Sequence, residues 1–508
     1  MFIRKKVNKS GSTSVQILKK IDRKNILVET IGCSKNEVLV QQLVNKARQR
    51  LGELNSQQLF DFHSTRDQIV EQHFSHDEAV SVNNIGPELI FGKLFKDIGF
   101  EEIPEPFFKN IVMARLTYPV SKLKTAEYLQ RHHNVEIDIN QIYRFLDRFR
   151  EKYQKQAQEI VFKHSSSILK QITVIFYDMT TLYFETEDED DLRKIGFSKD
   201  GKFQKPQIML GLLVGKDGYP IGYNIFEGNT FEGHTLLPVL REIEEKYRLP
   251  KPIVVGDAAL LSAENLKALE AERYKFIIGA RIKSENEKTK TEILKKARDL
   301  GDGESFSIKK EDGNRLIVSY SRERAKKDAY NREKGITKLR KKIRRGKLTK
   351  GHINKRGYNK FLVLKGAVLI RLDEGKIKQD AFWDGLKGYL TNTKLSNDAV
   401  ITNYCHLWQI EKAFRISKTD LRIRPIHHYR KRRIEAHICI AFVAYTMWKE
   451  LERLLKEKQI NMSPNKVIEL AKTIHQVSFT LPDSGETRTV FAKLSDQQKL
   501  ILKHFCSG

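Results

Sequence analysis

The sequence predicts an α/β protein: a mixed-sheet domain interrupted by a β-rich basic insertion and preceded by a mainly helical region. Three observations predict it. Between 172 and 279, three strand-like runs are followed by helix, strand, helix and strand, the order of a mixed α/β sheet. From 283 to 390 the texture changes to short strands around a stretch dense in Lys and Arg. From 55 to 170 the chain reads as mostly helical.

Residues 1–54 read as a small β/α module. Strands are expected over 2–7, 14–18 and 26–31, with a turn at 8–12. Ser34 and Glu37 have capping-box spacing and open a helix to about Leu51, whose Val38, Val40, Leu43 and Ala47 form its core stripe. In the helical region, a helix over 123–132, a connector over 134–139 and a longer helix from about Asn140 have the outline of a helix-turn-helix. Its second helix would present Gln141, Arg144, Arg148 and Lys152.

The run 172–184 is rich in β-branched and aromatic residues and reads as the first core strand. An acidic loop (185–191) and a basic turn (Lys199, Gly201, Lys202, Lys205) follow. Strands at 207–214 and 220–226 flank the hairpin turn Lys216-Asp217-Gly218. A helix over 235–247, a buried strand over 252–257, a helix over 262–273 and a strand over 275–279 complete this block. In the insertion, strands are expected at 305–308, 315–321 and 361–370. The basic run 322–356, with Lys341 and Arg344, is either a solvated face or a phosphate contact. The chain returns to the α/β domain with 383–391 and then a helix over 404–418. A long helix from Tyr429 carries an apolar stripe of Ile434, Ile438, Phe442, Tyr445, Trp448, Leu451 and Leu455, suited to core or interface. The C-terminal segment (458–508) has a helix from Ser463-Pro464, strands at 477–480 and 487–491, and a final helix boxed by Ser495 and Gln498.

At 508 residues the chain has room for several cores. A net charge of +28, spread along the whole length, implies a polyanionic partner and makes nucleic acid the first candidate over a membrane surface. No apolar run reaches the roughly 20 residues that cross a bilayer, and the first residues lack a signal-peptide core. Cys33, Cys405, Cys439 and Cys506 are scattered, which fits a reducing cytoplasmic setting.

The run Y-C-H-L-W-Q-I-E-K-A-F-R-I-S-K (404–418) places Leu407, Ile410, Glu411, Phe414 and Lys418 along one side of a helix. A carboxylate on such an apolar face needs a partner. That partner is Lys418 or Arg415 in a salt bridge, or a metal ion if other carboxylates converge on it. Asp178 within the first core strand and Asp257 at the end of P-I-V-V-G-D are those other carboxylates. Hard oxygen ligands suit Mg²⁺ or Mn²⁺, and three carboxylates can hold two such ions for an in-line phosphoryl displacement. No phosphate-binding P-loop, H-E-x-x-H or G-x-S-x-G run competes.

The runs V-I-F-Y-D-M-T-T-L-Y-F, V-V-G-D-A-A and Y-C-H-L-W-Q-I-E-K-A-F-R-I-S-K together resemble the three motifs of DDE transposases, and more narrowly the insertion-sequence-four superfamily of bacterial insertion sequences. The resemblance spans about 170–450. It implies an RNase H-like catalytic fold over 171–282 and 391–457, with a β-rich insertion (283–390) between the second Asp and the Glu. It also implies that Asp178, Asp257 and Glu411 bind two divalent ions, Mg²⁺ or Mn²⁺. The family's Tyr-Arg-Glu-Lys signature falls on Tyr404, Leu407, Glu411 and Lys418, so Leu407 departs from it and Lys412 or Arg415 would replace the missing Arg. Tyr404 and Lys418 would position transposon-end phosphates. The implied activity is cut-and-paste transposition: hydrolysis at the transposon ends, then attack of the freed 3′-OH on target DNA. The family often uses a DNA hairpin and an aromatic residue to hold a flipped base, here Trp383 or Trp408. The implied partners are double-stranded DNA, as terminal inverted repeats and target, and a second copy of the chain, in a bacterial nucleoid setting. A nuclease or resolvase that cuts without joining, or a DNA-binding regulator with an inert core, shares the charge. Lys418 favours the transposase over the first, and the intact carboxylates argue against the second. The stretch Arg424-Pro425-Ile426-His427-His428 with His437 also resembles the family. Phosphate contact or helix capping suits these His better than metal binding, and His234 reads as structural.

Overall fold

The computed structural model describes all residues except 22–23, 55–79, 134, 200, 232, 234, 259–262, 347, 349–352, 355–356, 366–368, 482–483 and 507–508. His234 and the first part of the helical region therefore lie outside the described residues. The chain divides into two units, 1–81 with 477–490, and 82–476 with 491–508.

In the first unit, strands Phe2–Val7, Thr13–Ile21 and Lys24–Ser34 form an antiparallel sheet, joined by the helix Glu37–Leu54. Val15, Ile17, Val40, Val44 and Ala47 make its core. Two details differ from expectation. Asn36, not Ser34, caps the helix: its Oδ1 accepts the Val38 amide at 2.9 Å. Val38, about 200° round the helix from Val40, is exposed.

The second unit is built on an eight-stranded sheet. In chain order its strands are β1 (Val174–Tyr183), β2 (Gln207–Val214), β3 (Pro220–Glu227), β4 (Ile253–Gly256), β5 (Lys275–Ala280), β6 (Ser305–Lys309), β7 (Arg315–Tyr320) and β8 (Leu386–Thr391). Their spatial order is β6-β7-β8-β5-β4-β1-β2-β3. The meander β1-β2-β3 is antiparallel, while β4 runs parallel to β1 and β5 parallel to β4. This is the succession read from 172–279. The two ends of the expected insertion, however, are not separate from the sheet. Strands β6, β7 and β8 extend it antiparallel beyond β5. Leu316, Ile317 and Val318 are fully buried there, because an alternating strand next to a covered sheet gains more by pairing than by standing apart. Within the basic run, Arg322–Arg344 forms a 23-residue helix capped by Ser321. The single strand expected over 361–370 is instead a hairpin of Leu362–Lys365 and Leu369–Leu372.

Both faces of the sheet are covered. One packs on helices Leu236–Tyr247, Ala263–Ala271 and Glu287–Ala297 through Leu240, Leu269 and Ile293. The other packs on the N-terminal helices of this unit and on Lys431–Glu457. The stripe expected on that last helix becomes burial all round from Ile434 to Leu451, so it is a central core helix. The C-terminal helices Pro464–Ala471 and Asp496–Cys506 bury Val467, Ile468, Ile501 and Phe505 in the same core. The box between Ser495 and Gln498 is present. No helix among the described residues is long and apolar enough to cross a membrane.

Candidate active site

The parallel pairing of β1 and β4 sets the site. Its register runs Val174 with Ile253, Ile175 with Val254 and Phe176 with Val255. Continued by two residues, it sets Asp178 beside Asp257, on strands about 4.8 Å apart. Paired residues of parallel strands point to one face, so both carboxylates leave the sheet on the side of Phe176 and Val255. Asp178 is partly exposed between buried neighbours in the middle of β1. Its Oδ1 accepts the Met179 amide at 2.7 Å, and the Lys199 ammonium lies 3.7 Å away. Lys199 also donates to the Met179 carbonyl at 2.7 Å. Spacing alone gives no signal for Lys199, since it approaches from a turn twenty residues on.

Over the same face lies the segment expected to be one helix from Tyr404 to Lys418. It is in fact three pieces: a helix Asn397–Cys405, a break at His406 and Leu407, a helix Trp408–Arg415 and a π-turn Ile416–Asp420. The burial of Glu411 differs from expectation. Gln409, Ile410, Ala413, Phe414, Ile416 and Ser417 are buried, which centres the covered arc near Ala413. Glu411 falls just outside that arc, beside Phe414, and is exposed. The expected stripe counted large apolar residues and missed the Gln, Ala and Ser that share the true face. Neither Lys418 nor Arg415 pairs with it; among the described residues Glu411 has no ion pair or hydrogen bond.

Tyr404 stands near two of these carboxylates. Burial, with Asp257, Tyr389 and Glu411 close by, pushes its hydroxyl up to about 12, so it remains a neutral donor. Its ring stands edge-on to Tyr389 at 5.0 Å, and the Lys387 ammonium lies 4.5 Å from the ring centre. Gly279 on β5 makes room for it: a Cβ there would run into the Tyr404 hydroxyl. Tyr389 and Lys387, both from β8, were not legible as site residues.

The other expected site residues fall into two groups. Arg148 makes two bonds to Glu105, at 2.8 and 3.2 Å, and Lys412 is ion-paired with Glu452, so both are engaged inside the protein. Gln141 is spent on the capping box with Asp138. Arg144, Arg415, Lys341 and Arg344 are exposed and carry no ion pair among the described residues. Lys418 is half-buried in the π-turn, and Leu407 packs against the core. Trp408 is half-exposed, whereas Trp383 packs on the face of the sheet opposite the carboxylates. His428 and His437 are buried side by side, their rings 5.4 Å apart.

The donor set is one of hard oxygens, which suits Mg²⁺ or Mn²⁺. Asp178 and Asp257 fit as ligands by register, while no three acidic, His or Cys residues among the described ones stand close enough together to enclose an ion.

The sequence profile described as Transposase DDE domain matches residues 169–447, more than half of the chain. No curated protein matches. Among solved structures, a piggyBac transposase synaptic complex with hairpin DNA is 10% identical, covering 80% of this chain and 78% of that one, with a TM-score of 0.39. A Mos1 transposase paired-end complex with left transposon end is 12% identical over 47% of this chain and 74% of that one, with a TM-score of 0.16. A Mos1 mariner paired-end complex with Mn is 13% identical over 47% and 75%, with a TM-score of 0.15. Overlaps this loose carry no argument about function.

Proposed function

Because the chain belongs to the family of transposase DDE domains, we propose that it catalyses cut-and-paste transposition of an insertion sequence, cutting at transposon ends and joining the freed 3′-OH to target DNA. The observation that carries this reading is the register that brings Asp178 and Asp257 side by side on the face covered by the Glu411 helix. The parallel strands and preceding meander support an RNase H-like core, and the Tyr404–Lys418 segment supports the insertion-sequence-four branch.

Asp178 and Asp257 would hold divalent ions from the sheet, with Glu411 closing from its helix. When bound, such ions supply Lewis-acid activation of the attacking oxygen and charge neutralisation at the leaving one. The chain's own residues do the rest. Tyr404, kept neutral, donates to a phosphate oxygen; Lys418 and Arg415 add positive charge along the same edge. Lys199 holds Asp178 in place before ions arrive. Lys341, Arg344 and Arg144 are free to meet backbone phosphates. Action as a homodimer on paired ends follows from the need to cut two ends.

The test is a strand-transfer assay with Mg²⁺ and labelled end DNA, comparing the wild type with Glu411→Ala. Loss of cutting and joining together supports the site. Normal cleavage and joining by the variant overturns it.

A further inference from the structure

A second region of this unit carries an unresolved charge problem. A cavity of about 300 Å³ opens between the helices Lys122–His133 and Ile139–Lys152 and the segment 422–428. That is roughly ten times the share of a water molecule in the liquid. Its lining includes Arg115, Lys122, Arg424, His428 and His437, and no Asp or Glu. Four of these cationic or basic groups are deeply buried: Arg115 is 5% exposed, Lys122 8%, His428 7% and His437 6%. Lys122 has no hydrogen bond or ion pair among the described residues. Arg115 reaches the carbonyls of Leu421 and Arg422 only at 3.3 Å, and its Nε has no partner. His437 uses Nε2 on the Ile423 carbonyl at 2.9 Å and leaves Nδ1 unpartnered. Two acids of the neighbouring helix and its cap are spent elsewhere, Asp147 on Arg432 and Arg433, and Asp138 on the Gln141 amide. Lys122 is also the first residue of its helix, so the positive end of that helix opens on the cavity.

Burying Arg115 and Lys122 against a lining that has no Asp or Glu costs free energy unless an anion joins them or they give up protons. The geometry points to an anion, and we propose that this pocket binds a phosphate group, supplied by the DNA backbone some distance from the cut site. The DNA half of the proposal rests on the function proposed above; the phosphate half does not. The pocket is coupled to the catalytic strand. Ile426 donates its amide to the Tyr183 carbonyl at 3.2 Å, and the Arg424 guanidinium lies 5.8 Å over the Tyr183 ring. Tyr183 is five residues along β1 from Asp178, roughly 17 Å at about 3.3 Å per residue. At about 3.4 Å of rise per nucleotide, that is about five nucleotides of one duplex.

The experiment measures binding, so it does not depend on the carboxylates and can be run on Glu411→Ala protein without metal. Calorimetry with inorganic phosphate compares the full chain with Lys122→Met. A methylphosphonate scan then neutralises single phosphates three to seven nucleotides from the end. Expected are a roughly ten-fold or greater loss of phosphate affinity in Lys122→Met, a salt slope for duplex binding lower by about one, and one methylphosphonate position that weakens the wild type but not the variant. Lys122→Met should melt no lower than the wild type, because it removes a buried charge without a partner. Equal phosphate binding by wild type and variant, or none by the wild type, overturns the pocket. Loss of phosphate binding with unchanged duplex affinity overturns the DNA half and leaves free phosphate as the ligand.

Discussion

The carboxylate face and the cationic pocket are opposites in charge but alike in one respect: each gathers several groups of one sign. Elsewhere this unit pairs its charges closely. Arg148 meets Glu105, Lys412 and Lys449 share Glu452, and Glu450 meets His164 and Arg453. At the carboxylate face the Lys199 ammonium stands 3.7 Å from Asp178, and Glu411 has no ion pair among the described residues. In the pocket Lys122 has none either. The contrast teaches that pairing, more than charge, separates residues that hold the fold from residues left for a ligand.

The largest expected effect breaks the comparison on its acidic side. Glu411→Ala should lower strand transfer by at least about 10³-fold, the scale for losing a group that acts only in the reaction. Since Glu411 is exposed and unpaired, its melting temperature should stay within the shift of about 0.5 kcal/mol usual for surface changes. A large loss of stability would mean that Glu411 belongs with the structural charges after all.

The order of strands and helices was legible because the apolar runs are long and their turns carry Gly, Asp and Asn. The placement of Asp178 and Asp257 was legible for the same reason, since one lies within a core strand and the other directly follows one. What escaped the sequence depends on pairing between distant elements. Nothing in the local pattern of 305–320 says that these strands join the central sheet beyond β5. Nothing in the spacing of Arg148 reveals Glu105, forty-three residues away. The burial of Glu411 was misjudged because small and polar residues, Gln409, Ala413 and Ser417, form much of the covered arc. The His428–His437 pair was seen as a phosphate contact or a cap, but Arg115 and Lys122 lie some three hundred residues earlier and became its neighbours only in the fold.

Next in size is a pH effect on the basic side. Burial, then Lys122, Arg115, Arg433 and His427, hold His428 down at about 3. His437 is lowered by burial, Arg115, Lys122 and His428. The unfolded chain takes up protons near 6.5 that the folded chain refuses, so stability rises with pH and is lost as pH falls from about 6.5 toward 3. Between pH 6.5 and 5, His428 alone should contribute a loss of about 2 kcal/mol. Thermal melts should show it, and His428→Gln should flatten it. Inorganic phosphate should shrink the loss in the wild type, because an anion lets the folded pocket accept the proton. Identical acid slopes in wild type and His428→Gln would remove His428 from the pocket's charge balance.

Gly279→Ala sharpens the acidic side without touching a charge. The added methyl meets the Tyr404 hydroxyl, on a β5 strand that cannot move away. Overpacking of this kind costs about 1–3 kcal/mol. Melts should register that loss, and strand transfer should fall with it, since Tyr404 must shift. Full activity at reduced stability would separate Tyr404 from catalysis. Smaller still is a pair of surface changes. Arg148→Ala should cost stability by about 1 kcal/mol and leave the salt slope of DNA binding unchanged, whereas Arg344→Ala should do the reverse and lower the slope by about one.

The smallest effect bears on Lys199, a cation on the acidic side. Lys199 stands beside Asp178 where a divalent ion would compete for the same carboxylate oxygen. At 3.7 Å, with both side chains about a quarter to a third exposed, the pair contributes no more than about 1 kcal/mol. Removing it by Lys199→Met should therefore tighten divalent-ion binding by at most about five-fold. Titration of Mn²⁺ followed by its paramagnetic signal measures this directly. Weaker ion binding in Lys199→Met would mean the opposite arrangement: Lys199, anchored on the Met179 carbonyl at 2.7 Å, orients Asp178 toward Asp257 and contributes more as a positioner than it costs as a competitor.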